Sequence, residues 1–213
     1  MRITKLGHSC LLVEEKGVRL VVDPGDYSTL QNQEKNIDAI LVTQEHEDHC
    51  DINSIREILK NGPQAKIFTN GGAGRALGEA RIPYNLLEHG QSVTIRGVLI
   101  EAFGKKHAEI YETVPPVDNT GYLIARRLYH PGDALHNPGV KVEILALPVA
   151  GPWIKVSEAI DYAKELQPKV CFPIHDGMLA PGRKGSTHSL PPKILEPFGI
   201  KFVTLKEGKS MDF

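Results

Sequence analysis

Residues 37–49 read IDAILVTQEHEDH, an apolar run that passes directly into a cluster of imidazole and carboxylate side chains. The apolar part predicts a buried strand over residues 37–43. The polar end is costly to bury unless a partner satisfies His46, Asp48 and His49. A divalent metal is such a partner, because histidine and aspartate are common zinc ligands. The stretch therefore predicts a metal site at the end of a buried strand.

Later segments place the same residue types after other apolar runs. His107 comes shortly after IEAF, Asp133 ends the segment HPGD, and His175 ends the segment CFPIH. Strand ends in layered α/β folds meet at one rim, so residues distant in sequence can converge there. We therefore expect these side chains to lie near the first cluster.

These segments together resemble the metallo-β-lactamase superfamily, whose members carry His-x-His-x-Asp-His at the end of a strand. In this chain Gln44 stands where the first histidine of that motif occurs. The segments LGHSC and VDP near the start resemble the branch that contains ascorbate-6-phosphate lactonase and related small metal-dependent hydrolases. The resemblance covers about residues 1–180. It implies an α+β fold, a four-layer αββα sandwich, in a single domain over residues 1–213.

The resemblance also implies two adjacent metal positions. One would use His46 and His107 with Gln44 in place of histidine, the other would use Asp48, His49 and His175, and Asp133 would bridge the two. The complete implied ligand set is Gln44, His46, Asp48, His49, His107, Asp133 and His175. Around it, Asp23 is expected to orient a ligand by hydrogen bonding, and His8 and His188 are expected in the pocket or its surroundings.

Gln44 is the departure from the family motif, and it leaves the number of metal ions open at one or two. An amide oxygen is neutral and a weaker zinc donor than imidazole, yet three protein ligands with water still form a workable catalytic zinc set. Relatives that use iron for oxygen chemistry tend to carry glutamate at the position of His46, so His46 favours zinc. Ligand type alone does not fix the metal, and manganese and iron stay open.

Metal-assisted hydrolysis is the chemistry that these residues indicate. A metal-activated water would attack a small ester, lactone or phosphoester, with Asp48 or Asp133 as candidate proton acceptors. The alternative is a non-catalytic or single-metal binding or regulatory protein of the same fold, in which Gln44 weakens the first metal position.

Bulk properties fit a protein that acts on a small molecule. The net charge is −1, which provides no general attraction to nucleic acid or to an anionic membrane. No apolar run approaches the ~20 residues of a membrane span, and a cytoplasmic location is the default expectation. The three cysteines are widely spaced and are expected to be reduced thiols with packing roles. The oligomeric state stays open.

The local patterns predict further elements. Helical spacing of isoleucine and leucine predicts a helix over 51–61, and a short helix is expected at 75–80 after a glycine-rich entry. Ser157 is a candidate cap for a helix that runs to Leu166. Residues 181–189 look like a loop, and residues 200–205 are expected to form a closing strand.

Overall fold

Two seven-stranded sheets form the centre of the computed structural model, which describes residues 1–180 and 182–213. The strands are β1 Arg2–Gly7, β2 Cys10–Glu15, β3 Val18–Val22, β4 Ala39–Val42, β5 Lys66–Thr69, β6 Asn85–Leu86, β7 Ser92–Ile95, β8 Val98–Phe103, β9 Gly121–Ile124, β10 Leu128–His130, β11 Ile144–Pro148, β12 Val170–Ile174, β13 Lys201–Phe202 and β14 Lys209–Asp212. The α-helices are α1 Ile52–Asn61, α2 Gly71–Glu79, α3 Val156–Leu166 and α4 Ser186–Leu195. Single 3₁₀ turns occupy Leu30–Gln33 and Glu196–Phe198.

Both sheets combine an antiparallel half with a parallel half. The first sheet has the order β14-β1-β2-β3-β4-β5-β6, and the second has the order β13-β12-β11-β10-β9-β8-β7. In the first sheet β3, β4, β5 and β6 run parallel, and in the second β10, β11, β12 and β13 do so. The carboxyl ends of the parallel strands therefore lie together in each sheet, which is where ligand-binding loops of such sheets occur.

The sheets pack face to face with helices on both outer surfaces. Strand β4 shows why, because its alternate residues face opposite layers. Ala39 and Leu41 belong to the apolar core between the sheets, whereas Ile40 and Val42 pack with residues of α1 and α2. Residues of α3 and α4 pack in the same way on the outer face of the second sheet. The expected four-layer αββα sandwich is therefore confirmed.

Helix α1 follows residues 44–49, which contain the candidate ligands, and begins as the sequence predicts. The Asp51 carboxylate accepts from the backbone N–H groups of Asn53 and Ser54, at 3.2 and 2.9 Å, and so caps the helix. Helix α2 begins earlier than expected, at Gly71, because Asn70 accepts from the N–H of Ala73 and caps it.

Three local expectations differ from the structure. Ser157 lies inside α3, whose cap position is Lys155, and the N–H of Lys155 donates to Glu158. The expected loop at 181–189 instead contains the start of α4 at Ser186, although residue 181 itself lies outside the described residues. Of the expected strand at 200–205, only Lys201 and Phe202 are paired.

Among the helices in the described ranges, none has both the length and the apolar character that crossing a membrane requires. The cysteines, Cys10, Cys50 and Cys171, are all buried and free. Burial raises the pKa of the Cys50 and Cys171 thiols to about 12, so both are neutral packing groups at neutral pH.

Candidate metal centre

The predicted site residues follow strand ends in both sheets. Asp23 follows β3 and residues 44–49 follow β4 in the first sheet. In the second sheet His107 comes after β8, Asp133 after β10 and His175 directly after β12. Both sheets therefore contribute side chains to one edge of the sandwich.

The structure brings these side chains into two adjacent groups. In each group the candidate ligand atoms lie within 4.8 Å of one another. The first group is His8, Asp48, His49 and His175, and the second is His46, His107 and Asp133. Cys50 is in neither group, although it follows His49 in sequence.

Asp133 lies between the two groups. Its Oδ1 atom is 3.1 Å from Nε2 of His49, and its Oδ2 atom is 2.9 Å from Nε2 of His175 and 3.3 Å from Nε2 of His107. Burial alone would raise the pKa of this carboxyl group, but the surrounding histidines hold its pKa well below the usual range. Asp133 is therefore an ionised carboxylate in contact with both groups.

Asp23 sets the orientation and the tautomer of His49. Its Oδ2 atom accepts from Nδ1 of His49 at 2.7 Å, and its two oxygens also accept from the N–H and hydroxyl of Thr43, at 2.8 and 2.7 Å. With Nδ1 engaged by Asp23, Nε2 is the nitrogen on the side of Asp133 and is the atom that a metal ion there would use. His107 is held similarly, because its Nδ1 donates to the carbonyl of Ala108 at 2.5 Å.

His8 has the opposite arrangement. Its Nδ1 atom accepts from the N–H of Gly177 at 3.2 Å, so the proton lies on Nε2, which donates to Oδ2 of Asp48 at 3.1 Å. Burial lowers the pKa of His8 to about 4, so the ring is neutral at pH 7. His8 is thus a hydrogen-bond donor to Asp48, with no free lone pair directed at the site.

Several buried polar atoms at this edge have no hydrogen-bond partner among the described residues. They include Nε2 of His49, Oδ1 of Asp133 and Nε2 of His175. The amide of Gln44 is fully buried, and both its Oε1 and its Nε2 also lack a partner. Unsatisfied buried polar groups are costly, and imidazole and carboxylate are preferred donors to divalent metals. The residues present therefore fit a metal centre.

Tight backbone packing holds the ligand loop in place. A Cβ atom at Gly25 would lie 1.8 Å from the backbone oxygen of Asp48, so only glycine fits there. Asn119 accepts from the N–H of Asp133 at 3.0 Å and positions the loop after β10.

Sequence reasoning missed Gly25, Thr43 and Asn119, because small and neutral polar residues carry no signal of a positioning role. His8, Asp23 and His175 all have left-handed backbone, with φ of +47°, +49° and +59°.

A cavity of about 670 Å³ opens above the two groups. Its floor contains His46, Asp48, His107, Asp133 and His175, and its rim and walls contain Asp26, Tyr27, Glu45, Glu47, Ile110, Pro152, Trp153 and Met178. Trp153 lies beside His107 and His175, at ring distances of 5.5 and 5.7 Å.

His188 is not brought to this cavity. Its Nε2 atom lies 2.8 Å from Oδ2 of Asp176, in a neighbouring cavity, and the other oxygen of Asp176 accepts from the buried amine of Lys5 at 2.5 Å. His188 thus contacts the residue after His175 rather than the ligand groups themselves.

Comparisons with known proteins identify the family of this chain. A family model described as "Beta-lactamase superfamily domain" matches residues 2–175. Protein Rv0786c of Mycobacterium tuberculosis is 34% identical over 218 residues, covering 100% of each chain. A UPF0173 metal-dependent hydrolase of Thermoplasma acidophilum is 27% identical, covering 82% of this chain and 83% of its own. The solved structure of a metallo hydrolase from the archaeon Ignicoccus hospitalis superposes with a TM-score of 0.76 at 21% identity, covering 100% of this chain and 98% of its own.

Proposed function

This chain belongs to the beta-lactamase superfamily, and from that premise we propose that residues 1–213 form one metal-dependent hydrolase domain. The proposed substrate is a small ester, lactone or phosphoester. The observation that carries the proposal is the convergence of two groups of imidazole and carboxylate ligands on the floor of one cavity. Relatives named as metal-dependent hydrolases add support.

The proposed metal positions follow the two groups. We assign Asp48, His49 and His175 to one, His46 and His107 to the other, and Asp133 to both. Gln44 is proposed to complete the position of His46 and His107 through its amide oxygen, which has no partner among the described residues. Zinc is the proposed ion because it accepts nitrogen and oxygen ligands without demanding one geometry, and one or two ions are compatible with the ligands.

A divalent metal held by these residues would supply Lewis-acid polarisation of the scissile carbonyl or phosphoryl group and would activate water. The protein supplies the orientation and the proton acceptor. Both candidate acceptors line the cavity and each lies near three histidines, but the Asp133 side chain is 3% exposed, whereas the Asp48 side chain is 19% exposed. We therefore propose Asp48 as the group that takes a proton from the attacking water, with His8 holding it in position.

Metal content and hydrolysis of the purified protein test the proposal together. The protein is prepared without chelator or added metal, its zinc, manganese and iron are measured by elemental analysis, and hydrolysis of lactones, esters and phosphoesters is followed. About two metal ions per chain would support a filled position at His46, His107 and Gln44. About one metal ion per chain would support a single position at Asp48, His49, Asp133 and His175. No bound metal and no uptake during zinc titration would contradict the proposal and favour a non-catalytic binding protein.

The variant His175→Ala is the control for the assay. This change removes one proposed ligand on the edge of the cavity, so metal content and hydrolysis should fall together. Hydrolysis that persists in the variant at the same rate would come from a contaminating enzyme.

A further inference from the structure

The side chains at the rim of the metal cavity are predominantly acidic. Asp26, Glu45 and Glu47 line its mouth, and none of the described residues that line the cavity is lysine or arginine. Arg75 lies 3.6 Å from Glu45, but its side chain is 70% exposed and is not part of the lining. Within the described chain, Asp26 and Glu47 have no salt-bridge partner at all.

The backbones of Asp26 and Glu47 are held side by side, and both residues line the metal cavity as well as a neighbouring one. The N–H of Asp26 donates to the carbonyl of Glu47 at 2.9 Å, so the loops after β3 and β4 are joined there. Both side chains are exposed. Their charges therefore act on whatever approaches the cavity, and water and salt screen them only in part.

Apolar groups form the rest of the wall. The side chains of Tyr27, Ile110 and Met178 are between 41% and 51% exposed, and all three line the cavity. Trp153 continues this surface down to the ligands His107 and His175. An organic group can lose water against this wall while the scissile bond lies over the floor.

This lining is poorly suited to phosphate. Proteins bind phosphate groups through arginine, lysine, main-chain N–H groups or metal ions. Because this lining has no arginine or lysine, a phosphomonoester would depend on the proposed metal ions, and it would bring about two negative charges past the acidic rim. Juxtaposition of like charges disfavours both the encounter and the complex.

We propose that the substrate is a carboxylic ester or lactone that carries no negative charge and that contacts Tyr27, Ile110 and Trp153 through an apolar group. The inference rests on the proposed function and narrows it. In the reaction, the oxygen of water bonds to the carbonyl carbon, and the bond from that carbon to the alkoxy oxygen breaks. One water proton ends on the released alkoxy oxygen and the other on the carboxylic acid, which then ionises.

Esters that share a leaving group but differ in charge test the proposal. The full chain loaded with zinc is assayed with para-nitrophenyl butyrate, which is neutral, with mono-para-nitrophenyl succinate, which is anionic, and with para-nitrophenyl phosphate. We expect kcat/KM for the neutral ester to exceed that for the anionic ester by about tenfold, and the phosphate ester to be the poorest substrate.

Charge reversal at the rim is the second part of the test. Asp26→Lys with Glu47→Lys should shift the ratio of the two carboxylic esters by about fivefold or more towards the anionic ester. Asp161→Lys is the matched control, because Asp161 is exposed on α3 and does not line the cavity. The control should leave the ratio unchanged.

The outcomes separate this inference from the function on which it rests. A preference for the anionic ester or the phosphate ester overturns the inference, as does a kcat/KM ratio that is the same in the charge-reversal variant and the wild type. These outcomes leave the proposed hydrolase function standing. A zinc-loaded protein that hydrolyses none of these probes nor a neutral lactone overturns both.

Discussion

The Nδ1 atom of His49 lies 2.7 Å from Oδ2 of Asp23, and both side chains are completely buried. The same carboxylate accepts two hydrogen bonds from Thr43, so it cannot turn away from the imidazole. This pair therefore keeps Nε2 of His49 as the only free nitrogen of the ring, directed at Asp133. A residue that binds no metal thus determines how a proposed ligand presents its lone pair.

The first prediction follows from that pair. Asp23→Asn removes the negative charge behind His49 while nearly preserving the volume, and we expect zinc affinity to fall by about tenfold or more. Competition with a chromogenic chelator measures the affinity. Asp161→Asn, an exposed change on α3, is the control. Equal affinities for wild type and Asp23→Asn would show that the pair has no influence on the metal.

Gln44 permits a prediction in which stability and metal content move in opposite directions. The Gln44→Leu variant removes an amide whose two polar atoms are buried without a described partner. We expect the free energy of unfolding of the metal-free protein to rise by about 1 kcal/mol, because an unsatisfied amide is costly. Metal content should fall in the same variant, and Gln44→His should raise it. Denaturant unfolding with chelator present measures the stability, and elemental analysis measures the metal content. A loss of stability in Gln44→Leu would contradict the prediction and show that the Gln44 amide has a hydrogen-bond partner.

The buried ion pair of Lys5 and Asp176 predicts a dependence of stability on pH. Burial raises the pKa of the Asp176 carboxyl, but His188 and Lys5 outweigh it and hold the pKa well below the usual range. A native pKa below the unfolded value stabilises the fold above about pH 4, and this contribution is lost as the pH falls through the native value. The destabilisation caused by Asp176→Asn should therefore shrink as the pH is lowered from about 6 towards 3.

Denaturant unfolding of both proteins at several pH values, with chelator present, measures this difference. A difference that stays constant or grows towards acid would contradict the prediction. Lys5→Met at pH 7 should be destabilising by about 3 kcal/mol, because it leaves the buried carboxylate with fewer partners.

Gly25 is predicted to be intolerant of even one methyl group. The Cβ atom of Gly25→Ala would meet the backbone of Asp48 at 1.8 Å, and backbone cannot move aside as a side chain can. We expect a loss of more than about 2 kcal/mol in stability together with weakened metal binding. Gly62→Ala is the matched control, because its Cβ would have ordinary contacts at 3.6 Å. Similar melting temperatures for the two variants would argue against a rigid loop.

Sequence reasoning identified the elements that have strong local signals. The apolar run before Gln44 is β4, and the ligand types after it converge as expected for strand ends. It missed the start of α4 because Pro191 and Pro192 lie inside that helix, where proline is usually excluded. It missed β14 because Lys209–Asp212 is a polar edge strand whose only described partner is β1, at the opposite end of the chain.

The electrostatic character of the cavity was less accessible to sequence reasoning. The net charge of −1 describes a nearly neutral chain, yet acidic residues from the loops after β3 and β4 meet at one mouth. This clustering of acidic residues becomes visible only in the structure, where the backbone N–H of Asp26 donates to the carbonyl of Glu47. Likewise, the tautomers of His8 and His49 depend on Gly177 and Asp23, which are distant in sequence.

The division of the ligands between the two sheets has a thermodynamic consequence. The candidate ligands Asp48 and His49 follow a strand of the first sheet, whereas His107, Asp133 and His175 follow strands of the second, so an unfolded chain has no assembled site. A metal ion that binds residues from both sheets binds only the folded chain and therefore stabilises it. By mass action, each tenfold excess of free metal over the dissociation constant adds about 1.4 kcal/mol to the free energy of unfolding. The melting temperature of the protein would then depend on the concentration of free metal, and a shortage of metal would lower the stability of the fold.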